Sequence, residues 1–507
     1  MNAQKKISWI VLIMLIGLSA CAPAAATPVP TAWSGSAEQA DGGFLPRATA
    51  APVNPQDNSY QDYGVNPQED ASRDNLSTFA VDVDTASYSV ARRYLQGGSL
   101  PPYEAVRAEE FINSFDMHYP NPRGSAFGLT IDGAPAPFEN DGAYLVRFGI
   151  QGYQVPDEER LPASLTFVID VSGSMDMDNR LELVKDGLNL LVDELDERDS
   201  VAIVVYGSQA RVVLEMTSGA EKSRIRRAID RLAPEGSTNA AAGLHLGYQL
   251  ALENYLNGGT NRLILCSDGV ANVGTTDADA LLAEVRGYVE ENLYLTTVGF
   301  GMGNFNDTFM EQLADNGNGF YAYVDDEDEA RKLFVDDLTA TIQVIARDAK
   351  VQVDFNPAVV SEYRLIGYEN REIADEDYFD ESVDGGEIGA GHSVTALYVV
   401  SLNRGAEGEV GTLYLTWKDP QTLESDEIYG SIYTEDLAGR FEDADATFQL
   451  AAVVSQFAEL LRESPYALAS SMREVSSQAR RLPRLLPEDG AVAEFAELAA
   501  TAARLQR

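Results

Sequence analysis

Leu165-Thr166-Phe167-Val168-Ile169-Asp170-Val171-Ser172-Gly173-Ser174 decides how this chain folds. The apolar run up to Asp170 reads as a strand buried on both faces, and Asp170, Ser172 and Ser174 follow it at alternate positions of a turn. Outward from that run, strands and amphipathic helices take turns. Leu181, Val184, Leu188, Leu191 and Leu195 recur at helical spacing, and Val201–Tyr206 and Ala210–Glu215 read as two strands joined by a tight turn containing Gly207. Helices are expected at Lys222–Leu232, Ala240–Tyr255 and Ala278–Glu290. Further strands are expected at Arg262–Cys266, Leu293–Val298 and Phe320–Val324, and a last helix at Glu327–Ile345. Strands separated by helices specify an α/β fold, a doubly wound, mostly parallel sheet over residues 160–345. Ligands of such sheets sit beyond the carboxyl ends of the strands.

That rule gives the oxygen-rich turn its meaning. Asp170, Ser172 and Ser174 stand at a strand end. Thr238 lies in the loop Gly236-Ser237-Thr238-Asn239 before a helix, and Asp268 in Ser267-Asp268-Gly269 just after the strand Arg262–Cys266. Three hydroxyls and two carboxylates are hard donors that suit a hard cation. Mg²⁺, which takes six oxygens at about 2.1 Å, fits best, with Mn²⁺ or Ca²⁺ as alternatives. As a set, in these elements and at this spacing, the five residues resemble the metal-ion-dependent adhesion site of the von Willebrand factor type A family. The resemblance implies that Ser172, Ser174 and Thr238 touch the metal, that Asp170 and Asp268 act largely through water, and that one coordination position stays open for a carboxylate from a protein partner.

The N-terminus reads as a signal segment over residues 1–20, with Lys5 and Lys6 ahead of the apolar run Ile7–Leu18 and the small residues Ser19 and Ala20. This run is short of the roughly 20 apolar residues needed to span a bilayer. Leu18-Ser19-Ala20-Cys21 resembles the lipobox of bacterial lipoproteins, which implies a lipid on Cys21 and an extracytoplasmic place in the bacterial cell envelope. Loss of residues 1–20 moves the formal charge from −43 to −45. Such a field excludes nucleic acid as a partner and otherwise serves solubility. Cys266, beside Leu263-Ile264-Leu265, is expected in the core.

Residues 21–75, rich in Ala, Pro, Asn, Gln and Asp, read as a disordered tether. Beyond it, 76–150 reads as a small α+β module, 349–435 as a β-sandwich-like domain and 441–507 as a helical C-terminal region. Phe79–Tyr88, Glu109–Asn113, Arg364–Arg371 and Gly389–Leu397 look like the flanks of bacterial von Willebrand factor A lipoproteins, so the resemblance extends over most of the chain.

Other chemistries have weaker support. His118, His245 and His392 lie in no nucleophile-elbow context, so no enzyme and no small-molecule substrate are expected. Gly299-Phe300-Gly301-Met302-Gly303 follows a late strand and reads as a loop needing glycine conformations beside the metal face, not as a dinucleotide loop. No Cys/His cluster supports zinc. Asp82 and Asp84 read as flanking a strand and capping the next helix, Asp325–Glu329 as the acidic start of the helix after it, and Asp375–Asp384 as a surface loop. The expectation is a surface-displayed binding protein. The alternative is an envelope structural or assembly protein whose metal mainly stabilises the fold.

Overall fold

In the computed structural model, residues 58–506 are described, apart from 140–141, 157, 270–277, 290, 302–305, 381–382 and 384. The six-stranded central sheet has the order Tyr321–Val324, Tyr294–Phe300, Thr260–Ser267, Ala163–Asp170, Ser200–Tyr206, Ala210–Ser218. The first five strands are parallel and the last is an antiparallel edge. Ala163–Asp170 is buried at every residue. Its side chains alternate between two cores, as a strand covered on both faces must. Leu165, Phe167 and Ile169 pack with Leu181, Val184, Leu188 and Leu191 on one face, while Val168 joins Leu244, Tyr248 and Leu313 on the other.

The last helix of this domain differs from expectation. It runs Glu327–Arg331, widens into a π turn at Lys332–Asp336, resumes at Leu338–Ile342 and gives way to a strand at Val344. The wider turn leaves both Leu333 and Phe334 in the core. Phe334 lies against Gly187 so closely that a Cβ there would stand 2.9 Å from its ring, so a bulkier residue at 187 would push the helix off.

The stretches expected as separate modules at 76–150 and 349–435 share their sheets. One antiparallel sheet has the order Glu69–Asp70, Val360–Ile366, Ser393–Leu402, Tyr144–Gly152, Phe127–Pro135. The other runs Gly386–Gly389, Val344–Phe355, Glu409–Lys418, Ser425–Tyr433, with Leu76–Ala80 paired to Lys350–Asp354. The two face each other as a sandwich filled by Phe148, Tyr398, Val351, Leu413 and their neighbours, and Phe127 meets Trp417 edge-on at 4.8 Å. The central α/β domain is thus an insertion between Gly152 and Val344. A third layer of helices, Ala86–Gln96, Ala108–Asn113, Ala446–Leu461, Met472–Ala479 and Gly490–Leu505, gathers around Phe111, Phe115, Phe457 and Phe495.

Two further expectations are corrected. The disordered tether expected over 21–75 does not extend through residues 58–75, which are fastened down, and its earlier part lies outside the described residues. Ser59 bridges Asn306, Asn66 Nδ2 donates to Gly367 O at 2.7 Å, Glu69–Asp70 forms a strand, and Ala71 is buried. Backbone and amide hydrogen bonds hold this segment, which is why hydrophobic period missed it. Asp84 does not cap the helix at Ala86; it accepts from Tyr321 N at 2.7 Å, and Asp82 accepts from Asp84 N and pairs with Arg371. Cys266 is fully buried, as expected. Cys21 lies outside the described residues.

Candidate metal centre

The strand Ala163–Asp170 delivers Asp170 to the carboxyl edge of the sheet, and the chain then folds back on that side chain. Ser172 N donates to Asp170 Oδ1 at 2.7 Å, which closes the turn and sets the Ser172 and Ser174 hydroxyls 2.9 Å apart. Ser267, the last residue of the neighbouring strand, donates to Asp170 Oδ2 at 3.2 Å, and Asp268 follows it. The two strand ends converge as the fold class requires.

Thr238 arrives on a third loop. Glu235 N donates to Val171 O and Gly173 N to Gly236 O, so two backbone bonds staple this loop to the Asp-x-Ser-x-Ser turn. Gly236 adopts φ +71°, and a Cβ on it would stand 2.1 Å from Ser208 Oγ, so the staple depends on glycine here. Asn239 then caps the helix Ala240–Glu253, accepting from Ala242 N at 3.1 Å. The structure therefore brings Asp170, Ser172, Ser174 and Asp268 to one edge and places the Thr238 loop against them. Asp170, Ser172 and Asp268 are buried, whereas Ser174 and Thr238 are half-buried at the rim.

Burial pushes the Asp170 carboxyl up to about 7, and the like charge of Asp268 adds to this; the hydrogen bonds from Ser172 and Ser267 pull the other way. The Tyr206 hydroxyl is buried beside the same groups and is pushed well above its ordinary value by burial and by Asp170. Two buried carboxylates facing each other among hydroxyls fit a divalent cation, which would reverse the cost of ionising them. Among the described residues no group of three or more His, Cys, Asp or Glu side chains is arranged to hold a metal, and this site differs in drawing on serine and threonine.

Sequence reasoning missed Arg180. Its Nη1 donates to Asp268 Oδ2 at 2.7 Å, and both side chains are at most 1% exposed. At the head of a helix, in Asn179-Arg180-Leu181, it carries no motif spacing that marks it. Gly301 shows the glycine conformation expected beside this face, at φ +80°. Asn306, after that loop, donates through its backbone N to Gly269 O at 3.2 Å and bridges Ser59, so the N-terminal segment reaches the flank of the centre.

A von Willebrand factor type A domain profile matches residues 164–336, a von Willebrand factor profile 54–147, and a profile for the C-terminal part of the uncharacterized protein YfbK 340–409 and 401–505. YfbK of Escherichia coli is 36% identical over 473 residues, covering 88% of this chain and 81% of that protein. More distant similarity is confined to part of the chain. The uncharacterized protein sll0103 of Synechocystis is 32% identical over 177 residues (35% of this chain, 41% of that protein), and human inter-alpha-trypsin inhibitor heavy chain H3 is 27% identical over 198 residues (38% and 22%). A von Willebrand factor type A structure from Catenulispora acidiphila aligns over 73% of this chain and 89% of its own at 16% identity and a TM-score of 0.43. With the central sheet, the strand-end cluster and similarity to YfbK along most of its length, the chain belongs to the YfbK family and carries a von Willebrand factor type A domain at its core.

Proposed function

We propose that this protein is a lipid-anchored binding protein of the bacterial envelope that engages a protein partner through a divalent ion held by Asp170, Ser172, Ser174, Thr238 and Asp268. The observation that carries the reading is the convergence of Asp170, Ser172 and Ser174 with Asp268 at the open edge of the sheet, with Ser174 and Thr238 left partly exposed at the rim. The three hydroxyls bind the ion directly and the two aspartates act largely through water, so a Mg²⁺ or Mn²⁺ ion there stays electrophilic and takes a carboxylate oxygen from the partner. The acidic body repels an acidic partner at long range, so the partner's carboxylate sits in basic surroundings. A lipid on Cys21 holds the body at the membrane.

Recognition is favoured over catalysis by the side chains themselves. The Ser172 hydroxyl is bonded to Ser174, His118 and His245 pair with Asp116 and Glu284, and burial pushes His392 down to about 4. The test is capture of partners from envelope extracts with wild type and Asp170→Ala, with and without EDTA. A partner retained in all four conditions overturns the metal bridge. Incorporation of labelled palmitate that is lost in Cys21→Ala tests the anchor. The burial of two facing carboxylates also supports a second reading, in which the metal chiefly stabilises the fold; it gains if Mg²⁺ raises the melting temperature while Asp170→Ala keeps every partner.

A further inference from the structure

Asp268 has two claimants. The proposed cation is one. The other is Arg180, 1% exposed, whose Nη1 lies 2.7 Å from Asp268 Oδ2. The approach of this side chain is built in. Gly301, at φ +80°, passes so close that a Cβ would stand 2.1 Å from Arg180 Nε and 2.4 Å from Cδ, so only a glycine at 301 leaves room for this side chain. Asp170 reaches the same edge from the neighbouring strand through Ser267.

We propose that Arg180 is the centre's own counter-charge: it competes with the divalent ion for Asp268 and so lowers the affinity of the site. This rests on the metal-binding reading above. At this edge the guanidinium pairs with one of the two carboxylates, so an entering dication meets one negative charge fewer than the carboxylates alone would present. A buried Asp268 without a counter-ion would destabilise the fold whenever the metal is absent. Arg180 removes that penalty, which makes the metal-free protein a stable species and the ion exchangeable. Because the guanidinium is held by burial, by Asp268 and by the close approach of Gly301, its repulsion acts on the ion at close range and is little screened by salt.

The experiment titrates Mn²⁺ into the full-length protein, read by water-proton relaxation and by thermal melts. It compares wild type, Arg180→Met, Arg180→Lys and Ser172→Ala/Ser174→Ala. Arg180→Met is expected to bind Mn²⁺ roughly 10- to 100-fold more tightly than wild type. It melts lower than wild type in EDTA and gains more from Mn²⁺, while Arg180→Lys stays near wild type. If Arg180→Met is unfolded in EDTA, folding driven by Mn²⁺ supports the proposal and failure of Mn²⁺ to restore it overturns it. A folded Arg180→Met that binds Mn²⁺ no more tightly, beside wild-type binding that the double serine variant loses, overturns this inference alone and leaves the metal centre standing. Absence of Mn²⁺ binding in both wild type and Arg180→Met overturns the metal centre and this inference with it.

Discussion

Glu109 sets its carboxylate where a side chain on Gly367 would have to begin: a Cβ on that glycine would stand 2.4 Å from Glu109 Oε2. Gly367 holds φ +84°, Glu109 is 1% exposed, and Asn66 donates to the carbonyl of the same glycine. Gly367→Ala therefore meets left-handed backbone and a buried carboxylate together. The expected loss is about 2–4 kcal/mol of unfolding free energy, measured by urea denaturation. A change below about 0.5 kcal/mol, the range of ordinary surface substitutions, would show that the helix carrying Glu109 yields easily.

Glu109 also belongs to a group of carboxyls that burial holds protonated to unusually high pH. Glu109 and Glu311 are pushed up to about 7 and Glu110 to about 8, in each case chiefly by desolvation. The folded state then keeps protons that the unfolded chain releases near pH 4.5, so stability falls as pH rises from about 4.5 to about 8. The slope approaches about 1.4 kcal/mol per pH unit for each group that stays protonated. The melting temperature should be higher at pH 6 than at pH 8, and Glu109→Gln should flatten that difference.

Arg92 is the hub of a buried cluster. Its Nε donates to Asp325 at 3.0 Å and its Nη2 to Glu329 at 2.8 Å, and Asp325 is 1% exposed. Arg92→Met leaves Asp325 buried without its counter-charge and is expected to cost about 3–5 kcal/mol. Arg92→Met/Asp325→Asn should recover much of that loss in the same denaturation assay, which separates the charge effect from lost packing.

Asp170 and Asp268 are buried together, so removing one charge has opposite effects with and without metal. In EDTA, Asp170→Asn should melt at or above the wild-type temperature because the mutual repulsion is gone. With millimolar Mg²⁺ the order should invert, since only wild type gains from the ion. Scanning calorimetry in the two buffers checks both halves.

The sequence was legible where structure is local or strictly periodic. Leu165–Asp170 declared a two-faced strand, Leu181, Val184, Leu188 and Leu191 declared the helix that covers it, and the Asp-x-Ser-x-Ser turn is bonded as its spacing implies. What stayed hidden depends on partners remote in sequence. Phe79 pairs with Val351 and Leu145 with Val399, and nothing in either stretch announces its mate. Residues 58–75 are held by amide and backbone bonds that leave no hydrophobic period, and Arg180 is revealed only by the carboxylate it meets across the fold. The π turn at Lys332–Asp336 answers to the packing of Phe334 on Gly187, which a helical pattern cannot express.

The insertion of the central domain between Gly152 and Val344 has a consequence during synthesis. The strand Tyr144–Gly152 pairs with Ser393–Leu402, which leaves the ribosome about 240 residues later, roughly 10–50 s at ordinary elongation rates. Through that interval one edge of the strand has no mate, while the intervening domain can complete its own sheet and bring the flanking stretches near each other. The guest therefore matures before its host, and a nascent chain stalled short of residue 393 would display an open, apolar strand to whatever chaperone or translocase attends it.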